Sequence, residues 1–252
     1  MSGHSKWSTI KHGKAVTDAR RGKLFTKLTK EVIIAAKQGG SDLEMNFKLR
    51  MAVQRARDSN MPADTIDRAI KRATGEGDEG DQMVESTDEG YAPGGVAILM
   101  EVLTDNRNRT VSDIRSTLTK AGGTMANAGA VAWQFDQKGV VIADLGETDA
   151  DDLALVAIDA GADDFETDGG AASFYSAPDD LEGVRAALTE SGASIASSEL
   201  AMIPQSQVIL EAKEALRTLK LLDQIEELDD VQKVFSNADF PEDALREFSE
   251  DV

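Results

Sequence analysis

Residues 15–40, AVTDARRGKLFTKLTKEVIIAAKQGG, decide how the first third of the chain folds. Leu24, Leu28, Val32, Ala35 and Ala36 fall on one face at about 100° per residue, with Phe25 at its edge, and predict a helix over 15–38. On the same wheel Arg20, Lys23, Lys27, Lys30 and Lys37 fill an arc of about 100° turned well away from that apolar face. Gly39-Gly40 stops the helix. Ser41-x-x-Glu44 has the form of a capping box opening a second helix over about 42–58. Pro62 then stands where a first helical residue belongs, and Ile66, Ala69, Ile70 and Ala73 give the i, i+3, i+4, i+7 pattern up to Gly75. Upstream, 1–13 is aperiodic and rich in Gly, Ser and Lys, a basic arm. Residues 1–75 are thus expected to form a basic three-helix domain.

Charge is divided unevenly along the 252 residues, whose net charge is -19. Residues 1–75 hold sixteen Lys and Arg against seven Asp and Glu, a net +9, and 76–252 hold eleven against thirty-nine, a net -28. Random placement would make both parts acidic, so the asymmetry points to a polyanion engaged at one end only, with nucleic acid the natural candidate. Ammonium and guanidinium groups neutralise phosphates and release condensed counterions. Trp7 and Phe25 are the main stacking partners in the head, which favours shape and backbone recognition over reading of splayed bases.

Residues 76–90 are acidic, Gly-rich and non-periodic, and read as a linker. Beyond them strands are expected over 96–103, 130–135, 139–145, 193–202 and 231–235, with a hairpin across 167–170. Helices are expected over 107–121, 149–160, 178–191 and 211–228. This alternation with hairpins indicates an α+β class, helices packed on one face of mostly antiparallel sheets. The Gly-rich loop 122–129 is long enough to reach a partner or to serve as a connector.

The residue types exclude much chemistry. There is no cysteine, hence no disulfide, thiolate metal site or Cys nucleophile. His4 and His12, both in the arm, are the only histidines, so the body has no imidazole for a Ser-His-Asp triad or a zinc site. Gly75-x-Gly77-x-x-Gly80 matches a dinucleotide fingerprint only as a string, since it follows a helix and carries Glu76, Asp78 and Glu79, which repel a pyrophosphate. No catalytic residue, metal or cofactor is expected. No run of about eighteen apolar residues marks a membrane span, and a cytoplasmic protein is the expectation. Arg107 and Arg109 form a second basic point at a helix opening, where backbone N–H groups favour an anion.

The blocks SGHSKWSTIKHGK, DARRGKLFTKLTKEV, NRNRTVSDIRSTLTKAGG, GAVAWQFDQKG and LDDVQKVFSNADF resemble the YebC/PmpR family nearly end to end. That resemblance implies three domains: a helical N-terminal domain, then two α+β domains over 81–136 plus 205–252 and over 137–204, the third inserted in the second. It implies a non-enzymatic, DNA-binding transcriptional regulator. The alternative is a ribosome-associated factor that binds rRNA or tRNA and relieves stalling at proline-rich stretches. Carried over by position, the nucleic-acid surface is Lys6, Trp7, Lys11, His12, Lys14, Arg20, Arg21, Lys23, Lys27 and Lys30, with Arg107 and Arg109 a weaker second patch. Protein partners are expected for the acidic domains.

Overall fold

The computed structural model describes residues 18–74, 83–146, 148–168 and 170–250. The lysines, Trp7 and His12 of the arm, the Gly75–Gly80 string and the first part of the expected linker lie outside them. The helical head comprises α1 (Asp18–Gly39), α2 (Phe47–Asp58) and α3 (Ala63–Thr74). The apolar stripe read from the sequence is the inner face of α1. Leu28, Val32, Ala35 and Ala36 pack with Leu49, Ala52, Val53 and Ala56 of α2 and with Met61, Ile66, Ala69 and Ala73. This cluster closes on itself: every member lies between Leu28 and Ala73.

The capping box is not what opens α2. The helix starts at Phe47, with Asn46 as its N-cap. Asn46 is buried, accepts a hydrogen bond from Leu49 N–H at 3.0 Å, and donates through Nδ2 to Ala35 O and Gly40 O, both at 2.8 Å. One side chain therefore satisfies an orphan donor of α2 and binds carbonyls in the last turn of α1 and just beyond it. Gly39 is required beside it, because a Cβ there would lie 2.5 Å from Asn46 Nδ2. Asp42, rather than Ser41, makes the local turn by accepting from Glu44 N–H at 2.9 Å.

After the head run β1 (Val84–Tyr91), β2 (Ala97–Thr104), α4 (Arg107–Lys120), β3 (Thr124–Met125) and β4 (Phe135–Asp144). Then come α5 (Ala150–Asp159), β5 (Ala162–Asp168), β6 (Ala171–Ser176), α6 (Leu181–Glu190) and β7 (Ser194–Pro204). The chain ends with β8 (Val208–Ile209), α7 (Ala212–Glu226), β9 (Val231–Ser236), β10 (Ala238–Asp239) and α8 (Glu242–Glu250). Among the described residues two compact units form, 18–131 with 217–234, and 132–216 with 235–250.

In the first unit a sheet of order β3-β1-β2-β9 is built around β2, nearly all of which is buried. Its strand β1 corrects the linker reading for 84–90. VESTDEGY pairs antiparallel with β2 over its whole length, from Val84 opposite Thr104 to Tyr91 opposite Ala97. Its acids and Gly hide a strand from propensity, but Asp88 and Glu89 are buried with partners that hold their charges. Glu89 accepts from Gly129 N–H at 2.5 Å and Val131 N–H at 2.6 Å, and Tyr91 OH donates to Ala130 O at 3.3 Å. Those bonds draw 129–131 out of any ladder. The strand expected over 130–135 is therefore absent, and a short 3₁₀ turn occupies Ala132–Gln134.

The second unit carries an antiparallel sheet of order β5-β6-β4-β7, with α5 and α6 packed together beside it. Leu153, Ala154 and Ala157 of α5, Leu181, Val184 and Leu188 of α6, and Phe174 of β6 are buried. The hairpin expected across 167–170 pairs β5 with β6, Asp168 standing opposite Ala171. A terminal helix that the sequence reading omits, α8, buries Ala244, Leu245 and Phe248.

Replacing Asn46 by Ala should lower the stability of the chain by about 2–4 kcal/mol, the loss of a cap and of two buried hydrogen bonds. Glu44→Ala should cost less than about 0.5 kcal/mol. Urea unfolding followed by circular dichroism separates the two.

Candidate nucleic-acid interface

The basic stripe of α1 points away from the helical core, as its spacing requires, but it does not face open solvent. It faces acids of 223–230, the end of α7 and the turn into β9. Arg20 pairs with Asp223 and Glu227, each at 3.3 Å. Lys23 lies 3.9 Å from the Glu227 carboxylate and donates to its backbone carbonyl at 3.3 Å. Lys27 is buried and donates to Glu226 O. Lys30 donates to Asp229 O at 3.2 Å and to Asp230 Oδ1 at 3.0 Å. The expectation of a contiguous, solvent-facing grip by Arg20, Lys23, Lys27 and Lys30 is thus corrected: the chain's own carboxylates and carbonyls occupy it. Arg21, by contrast, is exposed and has no partner among the described residues.

The second basic point is occupied as well. Arg107 makes a bidentate pair with the buried Asp88. The hydrogen bonds that Arg107 donates to Asp88 raise its pKa above the ordinary value, partial burial opposes them, and the Asp88 charge adds to the rise. Arg109 reaches Asp105 at 2.8 Å and Asp230 at 2.7 Å. Asn106 rather than an external anion caps α4, accepting from Arg109 N–H.

Asp230 joins these parts. Its side chain, 10% exposed, receives Arg109 at 2.7 Å, Thr110 Oγ1 at 2.8 Å, Lys30 at 3.0 Å and Thr104 Oγ1 at 3.1 Å. Its backbone carbonyl accepts from Leu103 N–H at 2.8 Å. Burial pushes its pKa up, but hydrogen bonds from Arg109, Thr110 and Lys30 outweigh it and hold the carboxyl down at about 2. A cavity of about 580 Å³ opens beside this carboxylate, lined by Lys23, Lys30, Arg109, Asp105, Asp113 and Glu227 among others. Its walls carry both signs of charge, which suits water and short polar groups better than one extended anion.

What the sequence reading missed is the acidic partner. Asp223, Glu226, Glu227 and Asp230 recur at i, i+3, i+4, i+7, and Arg20, Lys23, Lys27 and Lys30 at i, i+3, i+7, i+10. Two helix-spaced stripes of opposite sign were a legible signal for mutual docking.

Exposed cations also lie elsewhere in the head. On α3, Arg68, Lys71 and Arg72 are exposed on the side opposite the buried Ile66, Ala69 and Ala73. Arg68 is steadied by its own turn, donating to Asp64 O at 3.0 Å and Thr65 Oγ1 at 3.2 Å. Helices α2 and α3 are joined by the four residues Ser59–Pro62, with Asn60 in the left-handed region at φ 58° and Met61 buried. Among the described residues no group of His, Asp or Glu is arranged to hold a metal, and no helix is long and apolar enough to cross a membrane.

A helical head with an exposed basic helix, followed by acidic α+β units, defines the class of protein. The chain belongs to the TACO1/YebC family: 5–76 match its N-terminal domain and 83–238 its second and third domain. It is 52% identical over 248 residues to a probable transcriptional regulatory protein of Dehalococcoides mccartyi strain BAV1, covering 98% of each chain. It is 48% identical over 254 residues to a protein of the same description in Halothermothrix orenii, covering 100% of each. A crystal structure of a conserved hypothetical protein of Aquifex aeolicus superposes with a TM-score of 0.81 at 41% identity, over 89% of this chain and 92% of that one.

Asp230 should set the acid limb of stability. Its folded pKa, about 2, lies below the unfolded value near 3.8, so its contribution is complete above about pH 4 and is lost as pH falls towards 2. Asp230→Asn should cost at most about 2 kcal/mol at pH 7 and almost nothing at pH 2. Denaturant titrations at the two pH values measure the difference.

Proposed function

We propose that this protein is a non-enzymatic, nucleic-acid-binding regulator of gene expression that acts on DNA as a transcriptional regulator in the cytoplasm. The supporting observation is the placement of exposed positive charge. In a chain of net charge -19, the cations turned outward on the second helix of a helix–turn–helix pair, Arg68, Lys71 and Arg72, stand opposite its buried face. Arg21 and Arg57, both exposed, belong to the same head. The names of the relatives point the same way. Residues 1–75 are the gripping module in this reading. Lys6, Trp7, Lys11, His12 and Lys14 of the arm add phosphate contacts and one stacking ring.

The acidic remainder has the opposite task. Residues 132–216 with 235–252 hold twenty-four Asp and Glu against four Lys and Arg. Such a surface repels phosphate and orients the head towards it, while its own contacts are to proteins. Phosphate contacts carry no sequence information, so the base-reading set is smaller than the basic surface.

Fluorescence anisotropy with a mixed-sequence DNA duplex tests the reading. About five neutralised phosphates should give a log–log salt slope near -4 to -5. Arg68→Glu with Lys71→Glu and Arg72→Glu should flatten that slope by about 2–3 and weaken binding at least about tenfold at 0.1 M salt. A flat response from the parent chain, unchanged binding by the variant, or clear preference for an RNA hairpin of equal length would overturn it.

A further inference from the structure

We infer that Asp223 and Glu227 stand in for phosphates on α1, masking a second polyanion site that nucleic acid uncovers by displacing them from Arg20 and Lys23. The inference rests on the proposed nucleic-acid reading and adds a regulated site within the same head. Three features of the contact carry it.

First, the apolar cluster of the head closes between Leu28 and Ala73 and takes no member from the acidic segment 217–234, although Ile34 of α1 is buried outside that cluster. The contacts described between α1 and 223–230 are ion pairs and hydrogen bonds from long side chains. A junction held by charge is screened by salt and open to competition from another anion, which apolar burial is not.

Second, the junction is graded. At one end Lys27 is buried and Lys30 meets an Asp230 that is only 10% exposed and bound to three further donors. At the other end Lys23 and Glu227 are 48% and 44% exposed, and Arg20, 33% exposed, meets Asp223 and Glu227 at 3.3 Å each. The Lys23–Glu227 pair, that exposed and 3.9 Å apart, holds weakly in water. The Arg20–Lys23 end opens while the Lys30–Asp230 end stays anchored.

Third, the occupants copy the chemistry of the ligand. Arg20 meets two carboxylates and Lys23 one carboxylate and one carbonyl, the oxygen-rich surroundings that a phosphate backbone supplies. Arg21, exposed on the neighbouring position, is already available to extend the same contact. An incoming duplex exchanges one set of anionic oxygens for another.

The test uses the full chain with Asp223→Asn and Glu227→Gln together. Against a mixed-sequence duplex at about 0.1 M salt the double variant should bind about tenfold or more tightly, with a log–log salt slope steeper by about 2. Adding Lys23→Glu should abolish most of that gain. Neutralising two exposed acids of α5, Asp151→Asn with Asp152→Asn, controls for net charge and should leave the slope unchanged. Equal gains from the two neutralised pairs, or no gain from the first, would overturn the inference.

Opening is also read without nucleic acid, so failure of the functional reading stays distinguishable. The chain has no cysteine, and a side chain on the exposed Gly22 would meet nothing within 4 Å. Spin labels on Gly22→Cys and on Gln224→Cys, also exposed, should show a longer-distance population when Asp223 and Glu227 are neutralised. An unchanged distance distribution would overturn the latch, whatever the duplex does.

Discussion

The buried carboxylate of Asp230 is the constraint on which the first unit depends. A charge taken out of water must be compensated on the spot, or the chain opens to rehydrate it. Here Lys30 comes from the first helix, Thr104 from the end of the central strand, and Arg109 and Thr110 from the first turns of the helix that follows. Four donors converge from three elements, so the position of each is tied to the others. The same carboxylate lines a cavity of about 580 Å³.

That arrangement explains how a basic helix survives in a strongly acidic protein without acting as an uncommitted polycation. The charge asymmetry of the chain is real, but a large part of the positive surface is answered internally. Bidentate pairing of Arg107 with Asp88 repeats the pattern on the neighbouring strand. Exposed cations of the head include Arg68, Lys71 and Arg72 of α3 together with Arg21 and Arg57. In the proposed reading, such a set makes fewer phosphate contacts and binds more weakly than a continuous basic face, because each contact contributes separately to affinity.

Much of the architecture was legible in the residues. Leu24, Leu28 and Val32 carried the period of the first helix, Ile66, Ala69 and Ala73 that of the third, and the β2 run announced a buried strand. What stayed hidden had specific physical causes. β1 contains Glu85, Asp88 and Glu89, which argue against a strand until Arg107 and the amides of Gly129 and Val131 are brought beside them. The opening of α2 stays hidden because Ser41 and Glu44 satisfy a local pattern, whereas Asn46 serves a donor three residues ahead and an acceptor eleven residues behind. The terminal helix offers only Ala244, Leu245 and Phe248 as an inward face, too short a stripe to stand out.

By itself the sequence determined periodicity, class and the sign of charge in each region, because those depend on neighbours within a turn or a strand. It determined which way the lysines of α1 turn, but a helical wheel says nothing about what waits on that side. Only the tertiary structure decided that acids some two hundred residues later occupy them, since Coulomb pairing follows distance in space and not along the chain. The same reason hid the burial of Asp88, Glu89 and Asp230. A carboxylate can leave water only where donors from remote elements meet it, and their meeting is a property of the packed fold.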